Sequence, residues 1–384
     1  MTINAVDVAT TAAGTTLGLA TPILWCGIGG LVSERSGVLN IGLEGMALIG
    51  AFGYYAGAAA TGSAIGGIAL AVAAAAASAM ILAVLAIHGA GDQVITGMAV
   101  NLLGSGLTAF LYQAIYGVGA APTVAAIGPL AIPGLHAIPV LGKSLFDQPV
   151  LTYAALLAVP AVAWWLRSTR PGLRLTAAGE RPEAVDAAGL NVIAIRYAAV
   201  AFSGAACGIA GAYILSQVQD FTADMTAGIG YIALATIIFG NWRPAGVLLG
   251  SLLFAAAEAV QTVLQAAGIK VPYDLFLAVP YLVTIVAVSG FVGRVRPPAA
   301  DGQPYLRQLA EHRGTGATTP PPAHAPLRAR QHEREPGPPP HDGRVPVPIR
   351  SQTSPHPRSS AAPGSPTTAG PAPTSQRRLV TRTG

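Results

Sequence analysis

Nine apolar runs of 14 to 23 residues follow one another along the first 296 residues, at 10–32, 38–60, 66–87, 93–112, 150–166, 195–215, 227–240, 245–267 and 275–292. A helix needs about 20 apolar residues to cross a hydrocarbon core of roughly 30 Å. Inside lipid, every backbone N–H and C=O must be satisfied within the protein. The runs therefore predict an all-α, polytopic transmembrane bundle of about 8–10 spans. The seventh run is short for a full crossing and reads as a tilted or broken helix. Only 10% of the residues are charged, against about 25% in an average soluble domain, which excludes an ordinary soluble enzyme. Two cysteines exclude a disulfide scaffold. The N-terminal stretch has no basic segment and carries Asp7, so the first run reads as a permanent span and not a cleaved signal.

Composition changes near Pro297, which divides a 1–296 membrane domain from a 297–384 tail. The tail holds 19 of the 31 prolines, 11 of the 22 basic residues and five of the seven histidines. It has too little apolar surface to offset its ordering entropy and is expected to be disordered. The basic pI belongs to this tail, because residues 1–296 carry a net charge of −1; nucleic-acid binding is not expected. His312, His324, His332, His341 and His356 lack metal-ligand spacing, so no metal site is expected.

Lys and Arg are retained on the cytoplasmic side of a membrane. With alternating spans, one set of loops holds Arg35, Arg167, Arg170, Arg174, Arg181, Arg196, Arg243, Arg294 and Arg296, and the other only Lys143 and Lys270. This asymmetry predicts an outside N-terminus, a cytoplasmic 167–196 loop and a cytoplasmic tail.

Polar residues within the runs are the candidate site. Asn40 and Glu44, four apart, share one face if their segment is helical, and Gly37, Gly42 and Gly45 make that helix easy to break. Broken helices at membrane depth line cavities and mark solute paths; the competing reading is an interfacial turn. Asn101 and Glu258 complete the candidate path, with Gln93, Thr96, Gln113 and Gln261 as further intramembrane polar groups. Most of the amides read as interhelical hydrogen bonds, whereas a mid-span carboxylate such as Glu258 is costly without a role. Asp220 and Asp224, in an external loop, read as solvated loop charges, with contact to a partner protein as the alternative. Glycines at Gly62-xxx-Gly66 and Gly204-xxx-Gly208, followed by Gly211, allow close helix packing.

The loop 167–196 carries a second signal. Pro182 can open a short helix, Glu183 and Asp186 favour its N-terminal dipole, and Gly189 supplies a stop. Such a helix either docks a motor subunit or covers the bundle. No catalytic set is present, and the GxxxxGK[ST] phosphate loop is absent.

Three segments, SERSGVLNIGLEGMALIGAF (33–52), GERPEAVDAAGLN (179–191) followed by FSGAACGIAGAY (202–213), and GIGYIALATIIFGNWRPAGVLLGSLLFA (228–255), resemble the permease subunits of ABC importers of the branched-chain amino acid, simple sugar and nucleoside superfamily. The NIGLEG wording resembles the nucleoside type, which works with a lipoprotein binding protein. The resemblance implies a plasma-membrane permease for a small polar solute, nucleosides in the first place and simple sugars as the alternative. It implies alternating access driven by a separate ABC ATPase that binds ATP and Mg, with no cofactor in this chain. Glu180, Arg181, Glu183, Asp186 and Gly189 would form the coupling helix on that ATPase. Asn40, Glu44, Asn101 and Glu258 would line the path, and a second permease subunit would complete the pore. An ion-coupled secondary transporter using the intramembrane Glu residues is the reading from another class.

Overall fold

The computed structural model describes residues 5–117, 122–131, 144–266 and 296–305. Ten α-helices and one two-stranded ribbon make up the described elements. They are α1 (Ala5–Arg35), α2 (Leu43–Thr61), α3 (Ala64–Ala83, extended by a π turn Val84–His88), α4 (Gln93–Tyr116), β1 (Pro129–Ala131), β2 (Asp147–Pro149), α5 (Val150–Ser168), α6 (Arg170–Glu180), α7 (Pro182–Ala187), α8 (Val192–Val218), α9 (Ile229–Phe239) and α10 (Pro244–Ala266). The ribbon is antiparallel, with Leu130 opposite Gln148.

Among the described residues six helices are long and apolar enough to cross a membrane: α1, α3 with its π turn, α4, α5, α8 and α10. The 19-residue α2 and the 11-residue α9 account for two more of the expected runs. At 1.5 Å per residue α9 is about 16 Å long, half of a hydrocarbon core. The short seventh run is therefore a half-helix. The run at 275–292, together with Lys270, Arg294, His136, Lys143 and the tail beyond residue 305, lies outside the described residues.

α1 and α8 are the axis of the bundle and are mostly buried, whereas α3, α4, α5 and α10 turn most of their surface outward. Small residues bring the backbones together. A methyl added to Gly204 would lie 2.5 Å from Cβ of Ala79, and one added to Gly208 would lie 2.6 Å from the Ala71 carbonyl oxygen. A methyl added to Gly50 of α2 would lie 2.6 Å from the Gly208 α-carbon. The expected packing role of Gly62 is not found; it ends α2 in the left-handed region at φ +66, its N–H donating to Ala58. Cys26 and Cys207 are buried, free, and face each other between α1 and α8.

The two ends of the bundle differ. At one end the exposed arginines Arg167, Arg170 and Arg174 accompany α6 and α7. At the other, Tyr55, Tyr112, Tyr116, Phe52 and Phe221 form a cluster of edge-to-face and tilted ring pairs with separations of 4.9–5.6 Å. The Tyr54 and Tyr55 hydroxyls there donate to the Ala125 and Pro122 carbonyls at 2.7 and 2.9 Å. Aromatic girdles of this kind sit at membrane–water interfaces. Residues 297–305, assigned to the tail by composition, are ordered against the Arg-rich end: Tyr305 packs with Ala178, Val185 and Val192. Their prolines end the transmembrane pattern, but one aromatic anchor is enough to seat them.

Candidate functional site

Breaks in two helices come together deep in the bundle. The chain leaves α1 at Arg35, turns through Gly37 (φ +87) and enters α2 after Gly42. Far along the chain, α9 starts at Gly228 (φ +87), with its first N–H groups pointing into protein. These donors have no intrahelical partner. Glu44, in the first turn of α2, supplies one: Oε1 accepts from the Thr226 hydroxyl at 2.6 Å and the Gly228 N–H at 2.9 Å, and Oε2 accepts from the Gly230 N–H at 2.6 Å. A carboxylate at a helix N-terminus also matches the sign of the helix dipole.

Asn101 and Asn40 complete the junction. Asn101 accepts from the Gly45 N–H at 2.8 Å and donates to the Ile41 carbonyl at 2.9 Å and the Tyr231 hydroxyl at 3.0 Å. Asn40 accepts from the Gly42 N–H at 3.0 Å and donates to the Ser203 hydroxyl at 2.9 Å. Three of the four expected path residues are thus bonded to the backbone of the break.

The fourth, Glu258, is elsewhere. It lines a cavity of about 810 Å³ between α1, α8, α9 and α10, toward the aromatic end, together with Gln217, Gln261, Tyr213, Tyr231 and Phe254. Asn40, Glu44 and Asn101 are not among its walls, although Gly228, Ile229 and Tyr231, which the junction holds, are. Glu258 and Gln261 are three apart on α10 and share a face. Gln217, Tyr213 and Tyr231 were not expected there from sequence; α8 and α9 both pack on α1, and that brings them to one cavity. A second opening of about 690 Å³ between α1, α5, α6 and α8 has Trp164, Trp165, Phe202 and Arg174 on its walls. It offers few hydrogen-bonding groups to a polar solute.

At the Arg-rich end, residues 182–187 form the expected short helix, with Pro182 in its first turn and Gly189 at φ +79 just beyond it. Glu183 and Arg181 are exposed and Asp186 is half-buried. Glu180 ends α6 and accepts from the Ala299 N–H at 3.4 Å, and Asn191 caps α8 through the Ala194 N–H at 3.0 Å. Sequence reasoning missed Glu34, which is buried and accepts from the Trp242 indole N–H at 2.6 Å; Arg35 donates to the Trp242 carbonyl at 2.9 Å. This pair fixes the α9–α10 turn, where Asn241 and Trp242 both have positive φ. A Glu-Arg pair two residues before a glycine, Glu34-Arg35-Ser36-Gly37, was the available signal.

Broken helices, a cavity between helices with a few polar groups among apolar walls, and a short helix at the basic end define a multi-pass membrane transport subunit. The chain belongs to the family described as "branched-chain amino acid transport system / permease component", which matches residues 12–288. It is 38% identical over 308 residues to the guanosine ABC transporter permease protein NupQ of Bacillus subtilis, covering 76% of this chain and 95% of that one. It is 36% identical over 298 residues to the nucleoside ABC transporter permease protein NupC of Lactococcus lactis, covering 75% and 94%. A putative glucose ABC transporter permease protein of Haloferax volcanii, TsgC13, is 35% identical over 318 residues, covering 77% and 97%.

Proposed function

We propose that this chain is a pore-forming permease subunit of an ATP-driven importer of nucleosides in the plasma membrane. The observation that carries the choice of solute is the cavity around Glu258. A nucleoside has an aromatic face, a hydrogen-bonding base edge and ribose hydroxyls. Tyr213, Tyr231 and Phe254 offer ring surface, and Glu258, Gln261 and Gln217 offer the acceptors and donors, a few polar groups among apolar walls being the usual make-up of a small-molecule site. Kinship with permeases named for guanosine and nucleosides supports the same solute. A simple sugar is the second reading, supported by the relative named for glucose.

The Arg-rich end faces the cytoplasm, by the basic-residue asymmetry, and the N-terminus and the cavity mouth face outside. An extracytoplasmic binding lipoprotein delivers solute there, and a second, different permease subunit completes the pore. An ABC ATPase, which holds ATP and Mg, docks on Glu180, Arg181, Glu183, Asp186 and Gly189 around α7. Glu258 contacts solute; Asn40, Glu44 and Asn101 shape the path by holding its broken helices. Because a ligand shifts an equilibrium only through unequal contacts with two states, ATP binding must alter the α7 contact to switch the bundle.

Uptake of labelled guanosine into membranes carrying the assembled transporter tests this. ATP-dependent uptake that other nucleosides compete away and glucose does not, with loss of the ATPase in a Glu183→Ala/Asp186→Ala variant, is the expected result. Uptake that follows a proton or sodium gradient without ATP would overturn it and support an ion-coupled transporter.

A further inference from the structure

Arg196 in the second turn of α8 is 1% exposed, and its Nε and Nη2 have no hydrogen-bond partner. A buried guanidinium with unused donors is expensive, so its remaining contacts identify what it holds. Its hydrogen bond and its ring contact both go to residues 296–305. Nη1 donates to the Gln303 carbonyl at 3.1 Å, and the guanidinium lies 5.8 Å from the centre of the Tyr305 ring. Asp301, half-buried in this segment, and Glu183 on α7 are the nearby opposite charges.

Residues 296–305 touch three further elements. The Arg296 N–H donates to Asn241 Oδ1, in the turn between α9 and α10, at 3.0 Å. The Ala300 N–H donates to the Gly179 carbonyl, in the last turn of α6, at 2.8 Å. Tyr305 is buried 9% exposed against Val185, inside α7 itself. The fit is close: a methyl on Gly37 would lie 2.7 Å from Arg196 Nη2 and 3.1 Å from the Ala300 carbonyl oxygen. One ten-residue segment therefore connects the turn at the foot of the half-helix α9 with the short helix α7.

We infer that residues 296–305 are a strap, pinned by Arg196, that carries movement of α7 to the α9–α10 turn and so to the cavity. This rests on the importer reading. Arg196 is on this account a positioning residue, which touches neither solute nor ATP. A link hydrogen-bonded to the α9–α10 turn at one end and packed on α7 at the other transmits displacement, whereas the exposed face of α7 alone would only bind the motor.

The test uses the assembled transporter in proteoliposomes and reads solute moved per ATP hydrolysed. The full chain is compared with chains ending at Tyr305 and at Val295, and with Arg196→Lys and Arg196→Gln. The chain ending at Tyr305 is expected to match the full chain. The chain ending at Val295 should still recruit the ATPase and hydrolyse ATP, with the transport ratio falling about tenfold, the equivalent of one charge-assisted hydrogen bond. Arg196→Gln should fall similarly and Arg196→Lys should recover part of the loss. An unchanged ratio in the Val295 chain overturns the strap, as does a fall in assembled complex with the ratio intact, which is what a purely structural segment would give. Absence of ATP-driven uptake in the full chain would instead sink the importer reading, so the two failures are distinct.

Discussion

Replacing Glu44 tests whether the junction of the two broken helices rests on one carboxylate. Three donors converge on it, at 2.6, 2.9 and 2.6 Å. Thr226 is buried, and the two N–H groups open α9 with no other partner available. A hydrogen bond to a charged group contributes about 1.5–3 kcal/mol, and an orphaned buried donor costs a similar amount. Glu44→Ala should therefore destabilise the chain by roughly 4–9 kcal/mol if nothing rearranges, and by about half of that if water enters. Glu44→Gln keeps one accepting oxygen but turns an amide N–H₂ toward a donor, so about 2–3 kcal/mol is expected. Thr226→Val removes one donor with its acceptor still satisfied, at a cost of about 1 kcal/mol. Combined with Glu44→Ala it should be strongly non-additive, because both changes remove the same bond. The assay is thermal unfolding of the purified chain in mild detergent, with Glu258→Gln as control. That residue faces the cavity and should affect uptake far more than stability. A Glu44→Ala protein as stable as wild type, or a Gln variant as damaged as the Ala variant, would refute the reasoning.

Other outcomes follow from the same geometry. Asn101→Leu removes partners from the Gly45 N–H and the Ile41 carbonyl and should cost roughly 2–4 kcal/mol, whereas Tyr231→Phe should lower uptake with little loss of melting temperature. Gly208→Ala forces a methyl to 2.6 Å from the Ala71 carbonyl oxygen and should destabilise by about 1–3 kcal/mol. Gly106→Ala, in open space on α4, should stabilise by about 0.5–1 kcal/mol; equal melting shifts for the two would contradict the packing account. Burial pushes the Asp301 carboxyl up to about 7, against weaker opposing effects of the Gly302 N–H and Arg196. The docked strap then holds a proton that the released strap, with a pKa of about 4, gives up. Docking should be tightest below about pH 4, weaken as pH rises to about 7 and stay level above. Hydrogen exchange of residues 298–304 would show this slope, and Asp301→Asn should flatten it; a slope that survives the substitution would point to buried Glu34 instead.

Much of the architecture was legible because lipid imposes a length on apolar runs that no tertiary contact can override. Eight of the nine runs have helical counterparts among the described residues, and the shortness of 227–240 disclosed the half-helix. The α7 helix was legible from Pro182 and Gly189, whose backbone preferences act locally. The division of labour among polar residues was not. Asn40, Glu44 and Asn101 read as path residues from sequence, and what the pattern does not disclose is that each bonds the backbone at a break whose other half, at Gly228, is more than 120 residues away. Nothing in a linear pattern says which amide faces a cavity and which faces a neighbouring main chain. The strap was hidden for a related reason: its proline content dominates the composition, while its seat depends on Arg196, about a hundred residues earlier.

The Glu44 tie has a kinematic consequence. Two segments joined by three short bonds to one side chain behave as a single lever, so α2 and α9 cannot open the cavity by parting from each other. Any rocking of that lever has to be absorbed at its ends, where the main chain already occupies left-handed geometry: Gly37 before α2, and Asn241 and Trp242 after α9. Both fulcrums lie at the Arg-rich end, and Glu34 and Arg35 clamp one to the other through Trp242. A displacement at the basic end would therefore reach the cavity through the starts of α2 and α9 together, with α2 still seated along α3 and α8.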